Sequence, residues 1–165
     1  MRTIADVNTM TPGIFLAAFG DVAEHSRWVA REATSFQPFV NREALIVSFE
    51  RAVKAASRDA QLALIRAHPD LAAKAKLTGD STREQAGAGL DNLSPEEFAR
   101  FTALNTRYKE RFGFPFIFAV KGATKHMILD SFEHRVGNDM STEFAAAIAQ
   151  ICCIFRFRIE DRVSP

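Results

Sequence analysis

Apolar residues recur along most of the chain at the three-and-four spacing of an α-helix, and helix start and stop signals fall between the runs. Thr11-Pro12 joins a capping residue to one suited to a first helical turn, and Gly20 supplies a stop, so a helix over Pro12 to Phe19 is predicted. Trp28 and Val29 mark a second, short apolar segment. Asn41 can cap a longer helix in which Leu45, Phe49 and Val53 repeat at intervals of four and share a buried face. Ser57 opens a helix carrying Leu62 and Ile65. It should end near Ala67, because Pro69 disfavours helical backbone at His68, which is left at a helix end.

Beyond Asp70 an Ala-rich helix is predicted as far as Thr78-Gly79, and Ser81-Thr82-Arg83-Glu84 has the form of a capping box opening another. Ser94-Pro95-Glu96-Glu97 combines a cap, a first-turn proline and a glutamate at the third position. Phe98, Phe101, Asn105, Tyr108 and Phe112 follow at helical spacing up to Gly113. Thr124 caps a helix with Ile128, Phe132 and Val136 and with Gly137 beyond its end. Ser141 opens a last helix through Phe144, Ile148, Ile151, Phe155 and Ile159. The run Phe112 to Val120 is continuously apolar, but Gly113 and Pro115 would interrupt a central strand, so an extended buried connector is predicted. No internal repeat or linker-like stretch divides the chain. The expected fold is all-α, a single domain over residues 1–165 with about eight packed helices.

Charge and composition narrow the function classes. With 21 basic and 20 acidic residues the formal net charge is +1, which argues against nucleic-acid binding, where clustered cations must face phosphates. The composition, 47% hydrophobic and 25% charged, supplies one sizeable core. No run reaches the roughly 18 to 20 uninterrupted apolar residues of a membrane span, so no membrane association is expected. Residues 1–10 lack the basic and apolar regions of a secretory signal, and the last three residues are not a peroxisomal address. Cys152 and Cys153 are neighbours in a helix-like stretch, where a mutual disulfide fits poorly, and read as reduced core residues of a cytoplasmic protein.

Several residues can carry chemistry, each with a plainer alternative. His68, held at a helix end by Pro69, can project an imidazole into a cleft and move protons near neutral pH, or it can simply bond the last carbonyls of its helix. His25, His126 and His134 have no comparable setting and read as solvated. A metal centre is not expected: Pro69 separates His68 from Asp70, and neither a zinc-binding HExxH motif nor cysteines at zinc spacing occur. The Ser81 to Gln85 turn can initiate a helix, bind an oxygen-rich anion, or do both. Core packing accounts for the Phe112 to Ile117 run, yet its glycine and proline can also leave backbone groups facing a pocket, with Lys121 at the rim. Arg158 lies on the apolar side of the last helix and needs a partner, either an acid or the oxygens of a ligand.

Taken in order, His68-Pro69-Asp70-Leu71-Ala72, Ser81-x-x-Glu84-Gln85 with Ala88-Gly89-Leu90, Asn105-x-x-Tyr108, Phe112 to Ile117 with Val120-Lys121-Gly122, and Arg135-Val136-x-Asn138 form a specific signature. With them the chain resembles the 2-oxo-4-hydroxy-4-carboxy-5-ureidoimidazoline (OHCU) decarboxylases, cofactor-free enzymes of urate degradation that yield (S)-allantoin. Ile159 and Arg162 depart mildly from the pattern, standing where Leu residues would be expected. The resemblance implies an all-helical enzyme in which His68 is the catalytic acid/base and Glu84 its charged companion. It implies that Ser81, Gln85 and Arg158 contact substrate, with Pro69 and the backbone of Ile117, Phe118, Ala119, Val120 and Lys121 completing the pocket. It also implies a homodimer and leaves open association with other urate-pathway enzymes. The competing class is a non-catalytic helical module that binds a small ligand or a partner helix.

Overall fold

The structure, a computed structural model, describes residues 1–73 and 78–165. Among them are nine α-helices and no β-strand: α1 (Ile4–Asn8), α2 (Pro12–Phe19), α3 (Trp28–Ala33), α4 (Arg42–Ala55), α5 (Arg58–Arg66), α6 (Gly79–Gly87), α7 (Pro95–Phe112), α8 (Lys125–Arg135) and α9 (Met140–Glu160). They fall into two units, Met1–Ala67 with Ile151–Pro165, and His68–Gln150.

In the first unit, Thr3, Thr11, Asn41 and Ser57 each accept the backbone N–H three residues on, satisfying amides that a helix start would otherwise leave open. The cap at Thr3 and helix α1 were not anticipated, since five residues with one buried side chain, Val7, give little periodicity. Phe15 is central to the core, with ring centroids 4.8 Å from Phe19 and 6.3 Å from Phe49, and Phe49 meets Phe155 at 5.9 Å. Arg158 is buried here. Its Nη1 donates to a Glu24 carboxylate oxygen at 2.9 Å and to the Val22 carbonyl at 3.2 Å. The chain ends are joined: Arg2 N–H donates to the Arg162 carbonyl and Ser164 N–H to the Arg2 carbonyl.

The second unit is organised by α7. Ser94 and Glu97 form the reciprocal capping box at its start, and Lys125 adds an ion pair to Glu97 at 2.8 Å. Gly113, at φ 74°, ends it in the left-handed conformation that glycine adopts without a Cβ clash. Tyr108 sits fully buried among the rings of Phe112, Phe116 and Phe132, and Phe116 stacks on Phe132 with centroids 3.9 Å apart. The extended apolar connector is present: residues 115–120 form no helix or strand, and most of their side chains are buried.

Three helix expectations need revision. Ser81 is not a cap: Thr78 takes that role, its hydroxyl accepting from Ser81 N–H at 3.3 Å, so Ser81 is the third residue of α6 and Glu84 belongs to the next turn. The cap of the last helix stands two residues early, because the Asp139 carboxylate, in place of Ser141, accepts the amide three residues on, Thr142 N–H, at 2.7 Å. Of the Ala-rich helix, Leu71 and Ala72 form a turn, and residues 74–77 lie outside the described residues. Finally, α9 is by length and composition apolar enough to cross a membrane, with a mean hydropathy of 1.3. Scattered polar residues do not prevent that average. Within the protein, however, the charges on this helix are paired: Glu143 with Arg135, Arg156 with Glu43 and Arg158 with Glu24.

Two outcomes follow. Replacing Arg158 by Leu leaves Glu24 buried without this guanidinium and should cost about 3–5 kcal/mol in a denaturant titration, since removing one partner of a buried pair leaves an uncompensated charge. The Glu97 carboxyl is held down to about 2 by the Lys125 and Ser94 hydrogen bonds. A carboxyl depressed on folding stabilises above its unfolded value, so this contribution fades as pH falls from about 4.5 to about 2. Across that window the melting temperature of Glu97→Gln should fall less steeply than that of the parent.

Candidate active site

α5 delivers His68. The helix closes on Ala67, whose N–H bonds the carbonyls of Ala63 and Leu64, and Pro69 prevents another turn. His68 is 7% exposed and its Nε2 is buried, so the imidazole belongs to the interior and not to the solvated surface. By contrast, His25, His126 and His134 are exposed, as the sequence suggested.

The turn after His68 is fastened at three consecutive residues. The Asp70 carboxylate accepts from Lys109 Nζ at 2.6 Å, the Leu71 carbonyl from Asn105 Nδ2 at 2.9 Å, and Ala72 N–H donates to Gln85 Oε1 at 3.1 Å. Ala72 has φ 59°, a left-handed conformation that costs an L-residue about 1–2 kcal/mol. The Gln85 bond brings this turn onto α6. Ser81, Glu84 and Gln85 stand three and four residues apart on that helix and so share one face. Ser81 and Gln85 are buried, and Glu84 is half-buried. Four residues of the sequence-derived set, Ser81, Glu84, Gln85 and the Pro69 that follows His68, therefore belong to one short stretch of linked backbone.

The second element is the connector. Ile117 and Val120 are buried, Phe118 and Ala119 are half-buried, and Lys121 is exposed. Arg135 Nη1 donates to the Ile117 carbonyl at 2.7 Å, and its guanidinium lies 4.3 Å from the Phe116 ring centroid. Arg135 Nε in turn donates to Glu143 at 3.0 Å. The same carboxylate accepts from the Tyr108 hydroxyl at 2.6 Å and from Asn138 Nδ2 at 3.0 Å. Burial and this carboxylate push the Tyr108 hydroxyl far above its ordinary value, so it stays a donor. The Ala119 amide is engaged by Gln150 Oε1 at 2.8 Å, which leaves its backbone N–H committed to a side chain.

Arg158 belongs to the first unit, where Glu24 and Val22 hold it; of the two kinds of partner that its apolar position allowed, an acid or the oxygens of a ligand, the acid is Glu24. Asn105, Lys109, Arg135 and Glu143 were not singled out from sequence as site-forming. A usable signal existed for Arg135: it follows Ile128 by seven residues and Phe132 by three, which places a charge on an apolar helix face, as for Arg158. Asn105 carries the same sign, a polar residue within the apolar stripe of α7, whereas Lys109 does not, and their partners 34 and 39 residues away have no local sign.

The arrangement is a buried imidazole beside a fastened turn, next to a helix face that presents a hydroxyl, a carboxylate and an amide. Such groups can bind a polar small molecule and move a proton. Similarity to known proteins points to the same chemistry. The OHCU decarboxylase family profile matches residues 8–160. The chain is 43% identical over 162 residues to the 2-oxo-4-hydroxy-4-carboxy-5-ureidoimidazoline decarboxylase of Haloferax volcanii, covering 98% of this chain and 96% of that one. It is 40% identical to the uric acid degradation bifunctional protein PucL of Bacillus subtilis, covering 99% of this chain and 33% of that protein. Among solved structures, an (S)-allantoin synthase superposes with a TM-score of 0.80 at 30% identity, over 98% of this chain and 54% of that one. A match that runs through both units, α6, the His68 turn and the connector leaves one conclusion: the chain belongs to the OHCU decarboxylase family.

Proposed function

We propose that the family reaction, decarboxylation of OHCU in urate degradation, is carried out here by His68 as proton carrier with Glu84 as its charged companion. Ser81, Gln85, Pro69 and the backbone of residues 117–121 bind the substrate. The observation that carries the assignment is the burial of His68 on a turn tied to the α6 face that bears Glu84.

The substrate explains why so few groups suffice. Its carboxylate sits on a ring carbon next to a conjugated C=N. When the carbon–carbon bond breaks, carbon dioxide leaves and the bonding pair enters the substrate's own ring system. The former imine nitrogen and the neighbouring ring carbon each take a proton, and the hydroxyl becomes a carbonyl as it gives one up, so one proton is consumed overall. What the protein must supply is proton placement and stabilisation of the charge that moves into the ring. An imidazole fixed on one side of the ring delivers its proton to one face, which gives one enantiomer of allantoin. Glu84 favours the protonated imidazole by its charge. Since the Ala119 amide is engaged by Gln150, the binding surface of the connector is proposed to use its remaining backbone groups.

The same proposal places the protein in the cytoplasm, working as a homodimer alongside other urate-degrading enzymes. The association draws support from the Bacillus subtilis relative, a bifunctional urate-degradation protein of which a segment like this chain forms about a third. The cytoplasmic placement draws support from two free cysteines: Cys152 is buried, with its thiol pushed up to about 11, whereas Cys153 is exposed and is not the core residue expected, because it faces away from the packed side of α9.

The test generates the substrate in situ from urate with the two preceding enzymes and follows the optical activity of allantoin against the spontaneous racemic reaction. His68→Asn should lose about a hundredfold or more in rate and most of the enantiomeric excess while its helical circular dichroism is kept. Retention of both would remove His68 from the mechanism, and a parent protein without any effect on the rate or handedness would leave only a binding module. Glu84→Gln keeps the shape and removes the charge, so its pH–rate profile should shift; an unchanged profile would exclude an electrostatic role.

A further inference from the structure

We infer that Asn105 is a positioning residue for His68: by holding the Leu71 carbonyl it sets the direction from which the imidazole meets the substrate, and with it the handedness of the product. The inference rests on the assignment of proton transfer to His68.

Asn105 is 8% exposed, and its Oδ1 is buried with no hydrogen-bond partner among the described residues. An asparagine in that position is an expensive choice for packing alone. A leucine has the same branched skeleton of four side-chain heavy atoms and takes no unsatisfied acceptor out of water, an omission worth about 1–3 kcal/mol. What leucine cannot do is donate to the Leu71 carbonyl. The side chain is therefore retained for that bond.

The bond acts where the backbone is strained. Ala72 stands in the left-handed region, which an L-residue holds only when its surroundings over-determine it. Two of the surrounding restraints are the carbonyl of Leu71, held by Asn105, and the N–H of Ala72, held by Gln85. The Asp70–Lys109 pair adds a third restraint, but Lys109 is 47% exposed there, and solvent-screened pairs of this kind contribute little. Of the three, only the Asn105 bond is buried and made by a residue outside the proposed binding set. His68 is three residues before Leu71, with Pro69 between them restricting the chain, so rotation of the turn is passed to the imidazole. A displacement of about 1 Å at a reacting group costs on the order of a hundredfold in rate.

The experiment compares the full chain with Asn105→Leu, Asn105→Ser and Leu104→Ala, and runs His68→Asn in parallel. Each variant is assayed at increasing enzyme concentration, so that the enantiomeric excess can be extrapolated to product formed only on the protein. Enzymatic selectivity is a property of the folded molecules, and partial unfolding lowers the amount of product without changing its handedness. Both Asn105 variants should therefore lose a large part of the extrapolated excess, with kcat down about tenfold to a hundredfold and KM changed by less than about threefold. Leu104→Ala, which opens a cavity beside Asn105, should lower the melting temperature and keep the excess. If Asn105→Leu does not fold, Asn105→Ser, which is smaller and leaves room for water, decides the matter. Full selectivity in a folded Asn105 variant overturns the positioning role. Full selectivity in His68→Asn overturns instead the assignment on which the inference rests.

Discussion

Glu143 has no solvent exposure, and a carboxylate taken out of water at a cost of several kcal/mol persists only if its charge and lone pairs are answered locally. Its donors come from three different places: the Tyr108 hydroxyl on α7, the Arg135 guanidinium at the end of α8, and the Asn138 amide in the following loop. Satisfying one buried charge thus fixes two helices, a loop and the start of α9 with respect to one another. The guanidinium has a second consequence. Once it is oriented by the carboxylate and laid over Phe116, its Nη1 holds the Ile117 carbonyl, and the connector takes its path from that contact. The first unit contains a comparable pair in Glu24 and Arg158, where the guanidinium also reaches a backbone carbonyl, that of Val22. In each unit the arginine converts charge compensation into backbone placement, a task suited to a planar group with several fixed donors.

α7 links this network to the other half of the site. Tyr108 faces Glu143, Asn105 reaches Leu71, and Lys109, one turn beyond Asn105, reaches Asp70. The helix is a rigid bar, capped by Ser94 and Glu97 and closed by Gly113, and the two segments proposed to meet the substrate are both tied to it. A small molecule that must be protonated from one side needs a fixed distance between what binds it and what protonates it. Attaching both to a single amphipathic helix meets that need without a large conformational change.

The sequence made the helices legible because their signals are local. Asn41, Ser57, Ser94 and Thr124 cap where their spacing indicated, and Gly113 ends α7. The error at Ser81 came from two possible caps three residues apart: Thr78 caps by accepting Ser81's own N–H, so the helix begins earlier and the box pattern of Ser81 and Glu84 is left inside it. The site was legible only in part. His68 could be placed at a helix end because Pro69 acts on its immediate neighbour, but its burial depends on chain far away in sequence. The bonds from Asn105 and Lys109 cross more than thirty residues, and no periodicity encodes them. Arg158 shows the opposite case: an arginine on an apolar stripe announced a partner, and only the fold could say that the partner is Glu24.

The spacing on α7 also limits what kinds of sequence change this scaffold tolerates. Each residue advances a helix by about 100° and 1.5 Å, so inserting or deleting one position between Asn105 and Tyr108 would put the two anchors out of phase. Keeping Tyr108 on Glu143 would then swing Asn105 away from Leu71, and keeping Asn105 would swing the phenol out of the carboxylate's reach. Length variation should therefore be accommodated in the loops on either side of the helix, while α7 itself diversifies by exchange of its outward residues alone.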